Sequence, residues 1–116
     1  MRATQRKGDI AVTQAIADFT KLGMDVSVPV SESTAYDIVV DDQCDLRRVQ
    51  VRYSKSNDVE LRRIHSNSNG YVIKKTKNRA YDWLYVLRPG GERYLVRKCY
   101  PGRRSITPQE VDRLII

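Results

Sequence analysis

The amino-acid sequence predicts an α+β or α/β domain in which a mixed β-sheet is covered by an N-terminal helix and a short C-terminal helix. The hydrophobic patterns run from one helical segment through six short alternating segments to a second, shorter helical segment, an order typical of helices packed on a mixed sheet. The length of 116 residues suits one hydrophobic core. We therefore predict a single domain over residues 1–116, with the helix in 1–23, the sheet in 24–100, and a tail with the short helix in 101–116.

The first predicted element is an amphipathic helix over residues 4–22. Val12, Ile16 and Phe19 recur at the spacing i, i+4 and i+7, which places them on one face of a helix. Gly23 follows where a helix C-cap is expected. Because the apolar face must be buried, we expect the helix to fold back onto the sheet.

Alternating apolar residues predict the strands. The first strand is "MDVSVPV" (24–30), and "YDIVV" (36–40) and "LRRVQVRYS" (46–54) form an antiparallel hairpin around a short polar turn. A shorter strand, "VELRRI", covers residues 59–64. The segment "YDWLYVLRPGGERYLVRKC" (81–99) predicts a second hairpin, because alternating residues flank a turn that contains proline and two glycines.

Two segments are less regular. Residues 65–80, "HSNSNGYVIKKTKNRA", are polar and basic around an Asn-Gly pair, so we expect a long basic loop or a loose hairpin. The tail "TPQEVDRLII" predicts the short C-terminal helix, with Thr107 as its cap and Pro108 at its first position.

The charge balance indicates a polyanionic partner. The chain has 21 Lys and Arg against 14 Asp and Glu, a net charge of +7 and a pI near 9.6, as expected of proteins that bind nucleic acid. The basic residues concentrate after residue 46 and alternate with tyrosines, which suits a surface that follows phosphates, although an ordinary solvated face is the alternative. The candidate DNA-binding residues in this stretch are Lys55, Arg62, Arg63, Lys74, Lys75, Lys77 and Arg79.

A membrane partner is not expected. No apolar run approaches the roughly 20 residues that a bilayer needs. The opening "MRATQRKGDI" lacks the apolar core of a signal peptide. We therefore expect a cytoplasmic location.

Three polar residues stand out in the first hairpin. The strand period of two sends Gln50 and Arg52 to the same face, and Asp37 in the neighbouring strand can join them. A carboxylate and a second oxygen ligand suit Mg²⁺ or Mn²⁺, and a nearby cation can orient water beside a scissile phosphate, so the set predicts phosphodiester hydrolysis. The alternative is a hydrogen-bonded polar cluster without a catalytic role.

These residues lie in a longer resemblance. "YDIVV" followed by "VQVR" resembles the core of PD-(D/E)XK nucleases, in the Asp…Gln-x-Lys form of group I intron homing endonucleases of cyanobacterial type. Two further segments are similar to that family: the opening "KGDIAVTQAIADFTKLGMDVSVPV" and the hairpin "YDWLYVLRPGGERYLV". The resemblance therefore covers residues 7 to about 97. Archaeal Holliday-junction resolvases share the layout more distantly, and Ser33 lies where they contact DNA.

The resemblance implies site residues and shows two departures. Asp37 matches the metal-binding aspartate and Gln50 the second metal ligand. Val12 stands where the family usually has a glutamate on the first helix, which leaves Asp9 or Glu32 as possible replacements. Arg52 stands where the family has its catalytic lysine, and arginine keeps the charge but cannot relay a proton. Lys55 and Lys74 are candidates for the lysine's place.

The expected function is that of a sequence-specific endonuclease that cuts double-stranded DNA with Mg²⁺ or Mn²⁺. The resemblance and the small size both imply a homodimer or homotetramer, in which each subunit reads a half-site. Two alternatives stay open at this point. One is a DNA-binding protein with a nuclease fold that no longer cuts, and the other is an enzyme like the Holliday-junction resolvases.

Overall fold

The computed structural model describes residues 3–31, 34–61, 63–67, 70–74 and 80–116. The chain begins with helix α1 (Ala3–Lys21) and closes with a 3-10 turn (Glu110–Asp112). Among the described residues, no helix has the length and apolar character that crossing a bilayer requires. The strands formed by the described residues are β1 (Asp25–Ser27), β2 (Ile38–Asp41), β3 (Leu46–Tyr53), β4 (Val59–Glu60), β5 (Arg63–Asn67), β6 (Gly70–Lys74), β7 (Trp83–Leu87), β8 (Arg93–Val96) and β9 (Ser105–Ile106).

The main sheet has five strands in the order β1-β2-β3-β7-β8. Neighbouring strands run antiparallel, except for β3 and β7, which are parallel. A parallel pair needs a long crossover connection, and the chain between β3 and β7, which contains β4, β5 and β6, provides it. A mixed sheet with an N-terminal helix confirms the predicted fold class, and both predicted hairpins of this sheet are present.

Apolar side chains cover both faces of the sheet. On one face, Phe19 of α1 is fully buried, and its ring centroid lies 5.9 Å from that of Tyr85 in β7. On the other face, Leu84 of β7 packs in a cluster with Val59 of β4 and Ile106 of β9. Because both faces are covered, every residue of β7 is buried, as is typical of a central strand in a parallel pair.

The Asp42 carboxylate makes three of the hydrogen bonds that hold the turn between β2 and β3. Asp42 Oδ1 accepts the backbone N–H groups of Asp45 at 2.7 Å and Cys44 at 3.0 Å. Its Oδ2 accepts Arg47 Nε at 2.9 Å. The backbone hydrogen bond from Asp45, followed by those from Arg47 and Cys44, lowers the pKa of Asp42 to about 2. Gln43 adopts the left-handed conformation that this tight turn requires, with φ of 76°. The turn fixes the pairing of β2 with β3.

The middle of the chain differs from the sequence prediction. Residues 59–64 do not form one strand, because β4 pairs with β9 and β5 belongs to a separate sheet. For residues 65–80, where a long basic loop or a loose hairpin is expected, the described part forms a hairpin in which β5 pairs antiparallel with β6. The partner of β4 lies about 45 residues further along the chain, and such a distant partner leaves no local pattern by which a sequence can indicate it.

The C-terminal helix is shorter than expected. The tail forms one 3-10 turn, and its N-cap is Gln109 rather than Thr107. The Thr107 hydroxyl donates instead to the Asp58 carboxylate, while the Gln109 N–H donates to Asp112 Oδ2 at 2.9 Å. Val111 is exposed. A short helix in water needs an apolar face to bury, and the turn Glu110–Asp112 has no buried residue.

A buried carboxylate ties α1 to the sheet. Asp18 is only 3% exposed. Its Oδ1 accepts Gln14 Nε2 at 2.9 Å, and its Oδ2 accepts the Tyr85 hydroxyl at 2.6 Å and forms an ion pair with Arg93 Nε at 3.0 Å. Burial, with the Asp18 carboxylate as the next cause, raises the pKa of the Tyr85 phenol. A buried carboxylate is stable only when it is paired and hydrogen-bonded, and these contacts hold the helix at one position on the sheet.

Replacing Tyr85 with phenylalanine tests this network. The substitution removes one donor from the buried Asp18 carboxylate, so we expect Tyr85→Phe to lower the free energy of unfolding by about 1–3 kcal/mol. Tyr94→Phe is the control, because Tyr94 is a half-buried tyrosine outside the network. Urea denaturation measures both, and equal losses in the two variants would contradict this role of Asp18.

Candidate active site

Asp37 lies immediately before β2 and is anchored to β3 by main chain and side chain. Its N–H donates to the carbonyl of Val49 at 2.9 Å. Its Oδ2 accepts the backbone N–H of Val51 at 2.7 Å and Gln50 Nε2 at 3.0 Å. These contacts follow from the register of the hairpin, in which Ile38 is opposite Val49. The structure therefore brings Asp37 and Gln50 together, as the hairpin pattern predicts.

The two side chains differ in their access to solvent. Gln50 is 7% exposed, whereas Asp37 is half-buried. A carboxylate that accepts a backbone N–H is held in one orientation, because the strand that carries the donor is rigid. Gln50 turns its amide nitrogen, not its oxygen, towards Asp37. For both residues to bind one cation, the Gln50 amide must turn over and present its oxygen.

Arg52 follows Gln50 on the same face of β3. Its Cα is opposite Val86 in the parallel strand β7, as that of Gln50 is opposite Leu84. The side chain lines two clefts of about 250 and 410 Å³. Burial and then Cys99 raise the pKa of Tyr81 to about 12, and the positive charge of Arg52 acts in the opposite direction. The charge of the guanidinium therefore acts on the Tyr81 hydroxyl as well as on the two clefts.

Helix α1 places no carboxylate among the residues in contact with Asp37. Val12 is half-buried and packs against the apolar cluster beneath the helix. Asp9 is exposed, and Glu32, the other possible replacement, lies outside the described residues. Within the described ranges, no group of three or more His, Cys, Asp or Glu residues is arranged to hold a metal ion.

Asp37 and Gln50 together still fit a hard divalent cation. A carboxylate and an amide oxygen are among the ligands that Mg²⁺ takes, and Mg²⁺ commonly binds through one or two carboxylates together with water and substrate phosphates. The two side chains are already in contact. The donor set therefore suits an ion that completes its coordination with water and with a bound phosphate.

Most of the predicted DNA-binding residues are not described. Five of them lie outside the described residues: Ser33, Arg62, Lys75, Lys77 and Arg79. Arg63 and Lys74 are placed only by their backbone, opposite each other in the β5–β6 hairpin. Of the predicted set, Lys55 is the residue whose side chain the structure describes, and it borders the larger cleft beside Arg52.

Lys7 is a basic residue that the sequence prediction missed as a site residue. Its Nζ lies 5.8 Å from the ring centroid of Tyr53. A side-chain hydrogen bond with Lys55, together with the charge of Lys55, lowers the pKa of Lys7. The signal in the sequence is the Lys-Gly pair in the first turns of the helix, since Gly8 is an unusual choice inside a helix.

Comparison with known proteins identifies the family of this chain. The sequence model of the PD-(D/E)XK endonuclease family matches residues 2–97, and the chain belongs to this family. The structure of the bacterial homing endonuclease I-Ssp6803I is similar, with a TM-score of 0.74 and 27% sequence identity over 96% of this chain and 81% of that chain. A search of curated proteins finds no match. The resemblance seen in the sequence is confirmed, and both findings support a nuclease that acts on DNA.

The contact between Asp37 and Gln50 gives a test that needs no DNA. In Gln50→Glu two carboxylates face each other, so we expect a loss of stability of about 1–3 kcal/mol at neutral pH. Millimolar Mg²⁺ should restore most of it, because the ion binds the folded state. The measurement is the thermal midpoint with and without Mg²⁺.

Gln14→Glu is the matched control for this test. Gln14 also donates its amide to an aspartate, Asp18, but the cation beside that pair is Arg93, which repels a metal ion. We expect Gln14→Glu to be destabilised without recovery in Mg²⁺. Equal recovery in both variants, or recovery in neither, would contradict a cation site at Asp37.

Proposed function

We propose that this protein is a DNA endonuclease of the homing type, which hydrolyses phosphodiester bonds at a specific double-stranded sequence with Mg²⁺ or Mn²⁺. The observation that carries the proposal is the contact of Asp37 with Gln50 and with the backbone of Val51. It supports the role of Asp37 and Gln50 as the cation ligands. Membership of the PD-(D/E)XK endonuclease family supports the class of reaction.

Each residue has a distinct task in this proposal. The Val51 N–H orients the Asp37 carboxylate. With its amide turned over, Gln50 would offer its oxygen as the second ligand of the cation. A bound divalent cation would neutralise charge on the scissile phosphate and make water a better nucleophile. Arg52, always protonated, binds a phosphate oxygen and can do so with two hydrogen bonds. Because Arg52 does not release a proton, its contribution is to position and neutralise the phosphate.

The partner in this proposal is double-stranded DNA, bound by a homodimer or homotetramer. The net charge of +7 supports a polyanionic partner, and the similar protein I-Ssp6803I is named as a homing endonuclease. A domain of 116 residues covers a short stretch of duplex, so a symmetric assembly is needed to read two half-sites. Lys55 and the basic residues of the β5–β6 region are the candidates for contacts with the phosphates and with base edges.

A second candidate function is a DNA-binding protein with a nuclease fold that does not cut. Two observations favour it. Val12 packs against the apolar core where the family has an acid on the helix, and Arg52 replaces the lysine of the motif. Both changes remove groups that the related enzymes use, and neither prevents DNA binding.

The proposed cleavage depends on Asp37. We expect the wild-type protein to cut a supercoiled plasmid that carries candidate intron-insertion sites in Mg²⁺ or Mn²⁺, and Asp37→Asn to lower the rate at least about a hundredfold, because a cation ligand is lost. Asp82→Asn is the matched control, since Asp82 also accepts a backbone N–H from β3, that of Arg48 at 2.9 Å. It should stay within a few-fold of wild type. Binding without cleavage at every site, in both metals, would contradict the proposal.

Restoring the family residues separates the two candidate functions. If the wild type is active, we expect the double variant Val12→Glu with Arg52→Lys to cut DNA about tenfold faster than the wild type. The reason is that the variant regains an acid and a lysine at the site. The control places the new acid elsewhere, as Val28→Glu with Arg52→Lys, since Val28 is exposed. An inert wild type together with an active restored variant would instead establish the second candidate function.

A further inference from the structure

Two clefts meet at Arg52 and Tyr53, at the end of β3. The smaller, of about 250 Å³, is lined by Lys7, Gly8, Val51, Arg52 and Tyr53. The larger, of about 410 Å³, also has Arg52 and Tyr53 in its wall and includes Lys55. The clefts therefore share the C-terminal end of β3, and each is lined by one lysine.

The two lysines form an unusual pair. Lys7 is half-buried over the ring of Tyr53, and the side chain and charge of Lys55 lower the pKa of Lys7. In the described part of the chain, no carboxylate forms an ion pair with either lysine. Two neighbouring ammonium groups repel each other, and an anion between them would turn this repulsion into attraction.

The acids of the larger cleft are engaged elsewhere. The carboxylate of Asp58 accepts the hydroxyl of Thr107. Glu60 forms an ion pair with Arg104, at 3.9 Å between Nε and Oε2. Both carboxylates that line this cleft therefore have partners in the C-terminal part of the chain.

Gly8 is the second, independent observation. Glycine inside a helix costs about 1 kcal/mol relative to alanine. A Cβ built on Gly8 would meet no described atom within 4 Å, so packing against the described residues does not require a glycine. The residue lines the smaller cleft beside Lys7. A bare backbone in this position leaves room for a ligand to approach the helix closely.

We propose that Lys7 and Lys55, together with the open backbone at Gly8, form a phosphate-binding subsite next to Arg52. The inference rests on the proposed function, because the ligand is a backbone phosphate of the DNA that also reaches Asp37. Helix α1 thus contributes a cation to the site in place of the acid that Val12 replaces. The subsite binds one phosphate between two ammonium groups, so its contribution to affinity does not depend on base sequence.

Binding to a labelled DNA duplex of mixed sequence, in the absence of divalent metal, tests the subsite. We expect Lys7→Gln and Lys55→Gln each to weaken binding about tenfold and to make the slope of log affinity against log salt about one unit shallower. The double variant should lose clearly less than the product of the two single losses, because both lysines bind the same phosphate. Gly8→Ala should weaken binding while the helix becomes more stable.

Lys21→Gln is the control for the lost charge. Lys21 is on the same helix, fourteen residues and about 21 Å from Lys7 along its axis. It should change the affinity less than twofold. Thermal unfolding of every variant separates loss of the fold from loss of binding.

The subsite is contradicted if Lys7→Gln behaves like Lys21→Gln, if the two single losses multiply as for independent contacts, or if the wild-type protein does not bind the duplex. The failures are distinguishable. If Lys7→Gln and Lys55→Gln weaken DNA binding as expected but the wild type cuts in no metal, the proposed activity is contradicted and the subsite is supported. Cleavage that is indifferent to Lys7→Gln would overturn the subsite alone.

Discussion

The hydrogen bond from the Val51 N–H to the Asp37 carboxylate, 2.7 Å long, is the contact on which the candidate site depends. It joins the start of β2 to the middle of β3 and sets Asp37 beside Gln50. A shift of the strand register by one residue would move Gln50 and Arg52 to the face covered by α1. The turn held by Asp42 and the buried alternation of the two strands prevent this shift.

The sequence predicts the parts that local patterns determine. The apolar stripe that contains Phe19 indicates the helix, alternation indicates the two hairpins, and the same alternation brings Asp37 to Gln50. The parallel pairing of β3 with β7 and the pairing of β4 with β9 join distant segments, so no local periodicity encodes them. The same holds for the proposed subsite, because Lys7 and Lys55 lie far apart in the sequence.

Both departures from the family pattern make the proposed site more positively charged. Val12 packs against the core beneath α1, so the helix has no negative charge at this position, and Arg52 retains its positive charge in all states. In the proposed function, a cation then has Asp37 as its only described carboxylate ligand, and phosphates of the DNA complete its coordination. Metal binding and DNA binding should therefore strengthen each other.

Diffraction from crystals soaked in Mn²⁺ tests the central claim most directly, because the anomalous signal identifies the ion. The account predicts a peak about 2.0–2.6 Å from a carboxylate oxygen of Asp37 and from the amide oxygen of Gln50, with the amide turned over. A map without a peak at this position, in which Gln50 Nε2 still donates to Asp37, would contradict it.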